Sequence, residues 1–166
     1  MSKATMGFKY RVREFDPAGN LVSDTVDDNL IPTEGLNYFI ETALKEGTPF
    51  PALYVGLFAG NYTPTPTDTM AAFPAAATEL TAYTSATRPV VTLGTVAGGA
   101  VDNTAAVNEF TGTVNATLAY GGFVATSPTK GGTSGPLLSA VRFSTPKALD
   151  AGGRLEVTVV FASASI

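Results

Sequence analysis

Between Phe8 and Phe15 the chain alternates: Phe8, Tyr10 and Val12 are apolar, and Lys9, Arg11 and Arg13 between them are basic. A period of two marks a strand with one buried face. Residues 16–20 (DPAGN) supply Pro and Gly for a turn and LVSDT returns, so the pattern predicts a β-hairpin. Residues 1–7 (MSKATMG) lack any core-forming pattern and are expected to be a flexible N-terminal arm, disordered alone or ordered only against a neighbour. The period changes after Ile31-Pro32. Leu36, Phe39, Ile40, Ala43 and Leu44 fall at i, i+3, i+4, i+7 and i+8, which predicts one amphipathic helix at about residues 33–46, its apolar stripe packed on a sheet. Thr33 is the expected N-cap, Glu34 suits the positive end of the helix dipole, and Gly47 with Pro49 ends the helix.

Residues 53–58 (LYVGLF) are nearly all apolar, the pattern of a strand buried on both faces, with the helix expected to cover one of them. Gly56 is expected to allow close backbone approach. The apolar run then breaks into NYTPTPTDT, which has no sustained period and no charge before Asp68. Thr-Pro pairs favour extended backbone, so residues 61–73 are expected to form a stiff, projecting loop. The remainder resolves into short β segments at 88–96, 107–113, 115–126, 137–143 and 154–161, separated by Gly- and Pro-rich turns. In the last of them Leu155, Val157, Val159 and Phe161 share one face. The fold class expected is mainly β: a jelly-roll-like β-sandwich with one short amphipathic helix, as a single domain over residues 8–166. The four Gly-Gly pairs recur without a constant period, so no solenoid repeat is implied.

Composition sharpens this picture. The 166 residues are 45% hydrophobic but only 14% charged, against roughly 25% charged in typical soluble domains. The exterior must therefore be largely Thr, Ser, Ala, Gly, Asn and Pro. Either this is a neutral β protein whose turns absorb 17 Gly and 11 Pro, or part of the neutral surface is covered by other copies or a partner, as charges are depleted at interface cores. The second reading is preferred. A net charge of −4 argues against a nucleic-acid partner. No run of about 18 apolar residues and no leader pattern is present, so no membrane span is expected and synthesis in the cytoplasm is.

The absence of cysteine and histidine removes disulfides, thiol nucleophiles, the commonest metal ligands and every Ser-His triad. KGGTSG at residues 130–135 has its lysine before the glycines and Pro136 after them, so it reads as a hairpin turn rather than a phosphate loop. Asp68, Glu79, Asp102, Glu109, Asp150 and Glu156 are scattered, and no tryptophan offers a sugar platform. A paired-carboxylate glycosidase is accordingly not expected. Asp102, Asn103 and Asp68 could offer oxygen to calcium, but they form no EF-hand pattern. The expectation is no catalytic, cofactor or metal site. The basic residues Lys9, Arg11 and Arg13 are read as a solvated face that also discourages stray edge pairing.

Five segments in order carry a resemblance: NLIPTEGLNYFIETAL (29–44), YVGLFAGNYTPTPTDT (54–69), FPAAATELTAYTSATRP (73–89), KGGTSGPLLSAVRF (130–143) and LDAGGRLEVTVVF (149–161). In this combination the chain resembles small virion structural accessory proteins of tailed bacteriophages, a set that includes head decoration, head fibre, neck and tail proteins. The resemblance implies a non-enzymatic virion protein that decorates or cements the capsid, as an oligomer in contact with other virion proteins such as the major capsid protein. The alternative is a neck or tail component such as a fibre or host-surface adhesin, for which Tyr62, Tyr83 and Tyr120 are the phenolic candidates to meet a glycan. The candidate subunit-contact loop is Asn61, Tyr62, Thr63, Pro64, Thr65, Pro66, Thr67 and Asp68, whose limited freedom would lower the entropy cost of ordering against a neighbour.

Overall fold

A computed structural model describes residues 4–165. Two antiparallel sheets face each other. The first has the order β2 (Leu21–Asp28), β1 (Ala4–Phe15), β9 (Arg154–Ser165), β5 (Ala100–Asp102), with β6 (Asn108–Thr111) also pairing β9. The second has the order β4 (Glu79–Leu80), β3 (Tyr54–Phe58), β7 (Leu118–Ala125), β8 (Leu137–Ala148). Helix α1 spans Thr33–Leu44, and a four-residue helix α2 spans Phe73–Ala76. The chain is thus mainly β, two sheets with one helix of substantial length, in the manner of a β-sandwich.

Strands β1 and β9 pair in continuous register from Ala4↔Ser165 to Phe15↔Arg154. Ala4 to Gly7, expected as part of an arm, therefore form the start of β1, because the strand-forming end of β9 offers them a ladder; Met1 to Lys3 lie outside the described residues. Alternation along these strands places Tyr10, Val12, Leu155, Val157 and Val159 against Val55, Leu57, Val124, Leu138 and Val141 of the opposite sheet, all buried. The basic row of β1 faces outward and is paired: Lys9 with Asp28 at 3.2 Å, Arg11 with Asp24 at 2.6 Å, and Arg13 with Glu156, which Arg154 also meets. The Lys9–Asp28 and Arg11–Asp24 pairs are exposed and contribute little to stability, whereas Glu156 is buried beneath its two arginines.

The centre of the second sheet, along β3 and the end of β7, is buried on both faces. Val55 to Phe58 are all buried, as the apolar run implied. The cover on the outer face is not α1, however, but Met70, Phe73 and Ala77, which pack with Phe58 and Phe123 into a second cluster. Two cross-strand pairs make that layer flat. Gly56 faces Phe123 and Gly121 faces Phe58, and a Cβ on either glycine would come within 2.3 Å of the facing ring. Gly56 thus makes room for an aromatic ring rather than for backbone.

The expected strand over 88–96 does not form. Val55 N–H donates to Pro89 O and Val91 N–H to Leu53 O, but Pro89 has no N–H to give and the side chain of Arg88 turns inward. The guanidinium is fully buried, donates to Glu79 Oε1 and Oε2 at 2.8 and 2.7 Å, and reaches Ser127 O and Gly132 O. Residues 92–99 run exposed past the end of the sandwich. Sequence reading also missed β4, α2 and β5. Where β9 passes from β5 to β6, Asn103 stands in for a strand: Val159 N–H donates to its Oδ1 at 2.7 Å, while its Nδ2 donates to Asn108 Oδ1.

Candidate contact surface

The Thr-Pro loop is stiff, but it does not project. The Asp68 carboxylate gathers it: Oδ1 accepts from Tyr62 Oη at 2.6 Å and from Thr65 Oγ1 at 2.9 Å, and Oδ2 accepts from Thr65 N–H at 2.8 Å. The bond from Tyr62 to that carboxylate holds the phenol above its ordinary pKa, since ionising Tyr62 would set two anions together. Thr33 N–H donates to Pro66 O, Arg142 Nη1 donates to Thr63 Oγ1, and the Tyr62 ring meets the edge of Phe73 at 5.9 Å. At its far end the loop is anchored by Met70, which is fully buried.

All eight candidate residues are therefore brought together in one compact loop laid against the start of α1 and the side of β8. They divide by role. Asn61, Thr63, Pro66 and Thr67 are exposed, whereas Tyr62, Pro64, Thr65 and Asp68 are half-buried and hold the loop's shape. The chain turns at Pro66 and Thr67, where Asp68 N–H donates to Thr65 O at 3.2 Å, and the Asp68 carboxylate closes back on the Thr65 N–H and hydroxyl together. Glu34 adds a second fastening. Its Oε2 accepts from Met70 N–H at 2.8 Å and from Leu137 N–H at 2.7 Å, joining the helix, the loop and β8.

Pro32, not Thr33, occupies the N-cap position of α1, with no side-chain cap bond, and the Thr33 N–H is spent on the loop. Its orientation also departs from expectation. A Cβ on Gly35 would lie 2.6 Å from Leu138 O and 2.9 Å from Leu137 O, so the helix approaches β8 on the one side where it has no side chain. Tyr38 and Phe39 are carried inward with Gly35; Phe39 stacks on Phe161 at 5.5 Å and lies 6.2 Å from Phe8. The aliphatic members of the expected stripe are turned out: Leu36 is 38%, Ile40 50% and Leu44 78% exposed. Phe50, whose ring lies 5.2 Å from that of Tyr38, is also exposed.

Leu36, at one end of the stripe, and the loop border one continuous surface. A groove lined by Met6, Ile31 and Leu36 on the helix side and a shallower one lined by Thr63, Pro64 and Arg142 on the loop side share Asp28, Asn29 and Leu30. Comparison with protein-family models, curated proteins and solved structures gave no match. The surface must be read from its chemistry.

Other sequence candidates have local partners. The 130–135 turn connects the paired strands β7 and β8. Lys130 Nζ donates to Thr81 O and Tyr83 O and sits 3.6 Å from the centre of the Tyr83 ring. Burial holds Lys130 below its usual pKa and pushes Tyr83 up. Tyr83 is only 3% exposed and packs edge-on to Phe110, so it offers no glycan platform, and Tyr120 is half-buried. Asp102 accepts from Thr104 N–H, and Asn103 is buried in the ladder gap. Among the described residues, no group of three or more Asp or Glu stands ready for a metal ion, and no helix is long and apolar enough to cross a membrane.

Proposed function

We propose that this chain is a non-enzymatic structural protein of a tailed-phage particle, which decorates or cements the capsid through contacts with other copies of itself and with the major capsid protein. The observation that carries the reading is the outward stripe Leu36, Ile40 and Leu44, set on a helix whose other side is locked to the sandwich. Aliphatic side chains aligned on one helix face and left in water are the usual mark of a surface that is covered in an assembly. The adjoining loop suits the same role: it is pinned by Asp68 and Glu34, so docking against it would order little new backbone. The ordered resemblance of five segments to virion accessory proteins supplies the kind of assembly. Many modest contacts on a repeating lattice would give retention that no single one provides.

Quantifying the chain by mass spectrometry in purified particles, relative to the major capsid protein, tests this reading. A ratio approaching one copy per capsid subunit is the expected result. A handful of copies per particle would move the chain to the neck or tail, and absence from particles would overturn the virion reading.

A further inference from the structure

Beyond the outer surface, the molecule holds a second apolar feature of a different kind. Between the two sheets, at the end nearest α1, lies a pocket of about 100 Å³ lined by nine apolar side chains with no polar atom reaching it. Val124 and Val159, both buried, come from opposite sheets and form its floor; Phe39 and Phe161 wall it. Leu93, 40% exposed, is the most exposed of the lining residues, on the stretch that the sequence marks as a strand and the fold leaves without one. That stretch is tied back next to Leu93 by the Gly94 N–H donating to Asp102 O.

Protein interiors are close-packed, with few voids larger than a water molecule. Water gains nothing in this one, because a buried water needs two to four polar partners and the lining offers none. A polar or charged ligand would lose its hydration without replacement. An apolar group loses nothing, and it restores the dispersion contacts that the empty lining lacks.

We propose that this pocket is a binding site for one small, wholly apolar group of the size of an aromatic ring or a branched alkyl, entering past Leu93. The group is a free apolar molecule, small enough to sit among the nine lining side chains. The proposal rests on the pocket and not on the virion reading, so the two can fail separately.

The test is titration of the isolated chain with benzene, read by methyl NMR. The expected result is saturable shifts confined to Leu53, Val91, Leu93, Val101, Val124 and Val159, with a melting temperature that rises with benzene concentration. Val101→Phe, which places a ring from the half-buried strand β5 toward the pocket, should abolish those shifts. Absence of saturable shifts in the wild-type chain would overturn the proposal, as would shifts scattered over the surface. So would undiminished shifts in a folded Val101→Phe chain. If that variant does not fold, pressurising the wild-type chain with xenon replaces it: shifts at the same methyls support the site, and none there sinks it.

Discussion

The two faces of α1 both carry large apolar side chains and meet opposite fates. Inward lie Gly35, Tyr38 and Phe39, set against β8, Phe8 and Phe161; outward lie Leu36, Ile40 and Leu44, exposed. By hydrophobicity alone the aliphatic stripe should be inside. It is outside because depth of approach, not side-chain transfer, decides this contact: without a Cβ at Gly35 the helix settles onto the Leu137 and Leu138 carbonyls, and that rotation carries two aromatic rings over the sandwich end. A helix can therefore be held firmly by one face and still keep an aliphatic face for another molecule.

Substitutions on the two faces should separate folding from association. Gly35→Val puts a branched side chain where backbone oxygens already stand, and a loss of about 3 kcal/mol in urea unfolding is expected for such overpacking. An unchanged midpoint would mean that the approach is not tight. Phe39→Ala removes a half-buried ring from the contact with Phe8 and Phe161 and should lower stability by about 2 kcal/mol; a loss as small as that of an outward residue would erase the difference between the faces. Asp68→Ala strips the loop of three hydrogen bonds. It should lower global stability by roughly 1.5 kcal/mol, with faster amide exchange at Thr65. Equal exchange there would show that the loop is held by its prolines instead. The smallest effect belongs outside: Ile40→Gln with Leu44→Gln should leave stability within about 0.5 kcal/mol of wild type, since Gln is a comparable helix former and both sites are solvated.

The contrast also shows which parts of this structure were legible in sequence. The β1–β2 hairpin, the late strands and the limits of α1 follow from local period and turn chemistry, because each is set by residues a few positions apart. The inward direction of α1 was not legible, because it depends on Gly35 meeting carbonyls about a hundred residues later; a glycine in the first turn of a helix was the available signal. The 88–96 segment has the β-branched content of a strand, yet the ion pair of Arg88 with Glu79 and the missing N–H of Pro89 hold it otherwise. In the loop, the expected projection does not occur: residues 61–68 are laid back against the fold. Thr65 and Asp68, three apart, carried the closing motif in plain sight, whereas the tie from Thr33 to Pro66 and the anchoring of Met70 by Glu34 are tertiary.

The central claim is that the outward face of α1 is where this chain meets its assembly. The most direct measurement compares the Ile40→Gln, Leu44→Gln chain with wild type when both are supplied to assembling particles and counted by mass spectrometry, with unfolding curves run on the same preparations. Withdrawing two aliphatic side chains from a covered contact removes at least about 1.4 kcal/mol, or a tenfold change in binding. With both chains supplied well below saturation, the account predicts that the variant folds like wild type and falls about tenfold in particle-bound copies. A folded variant retained at the wild-type level would contradict it.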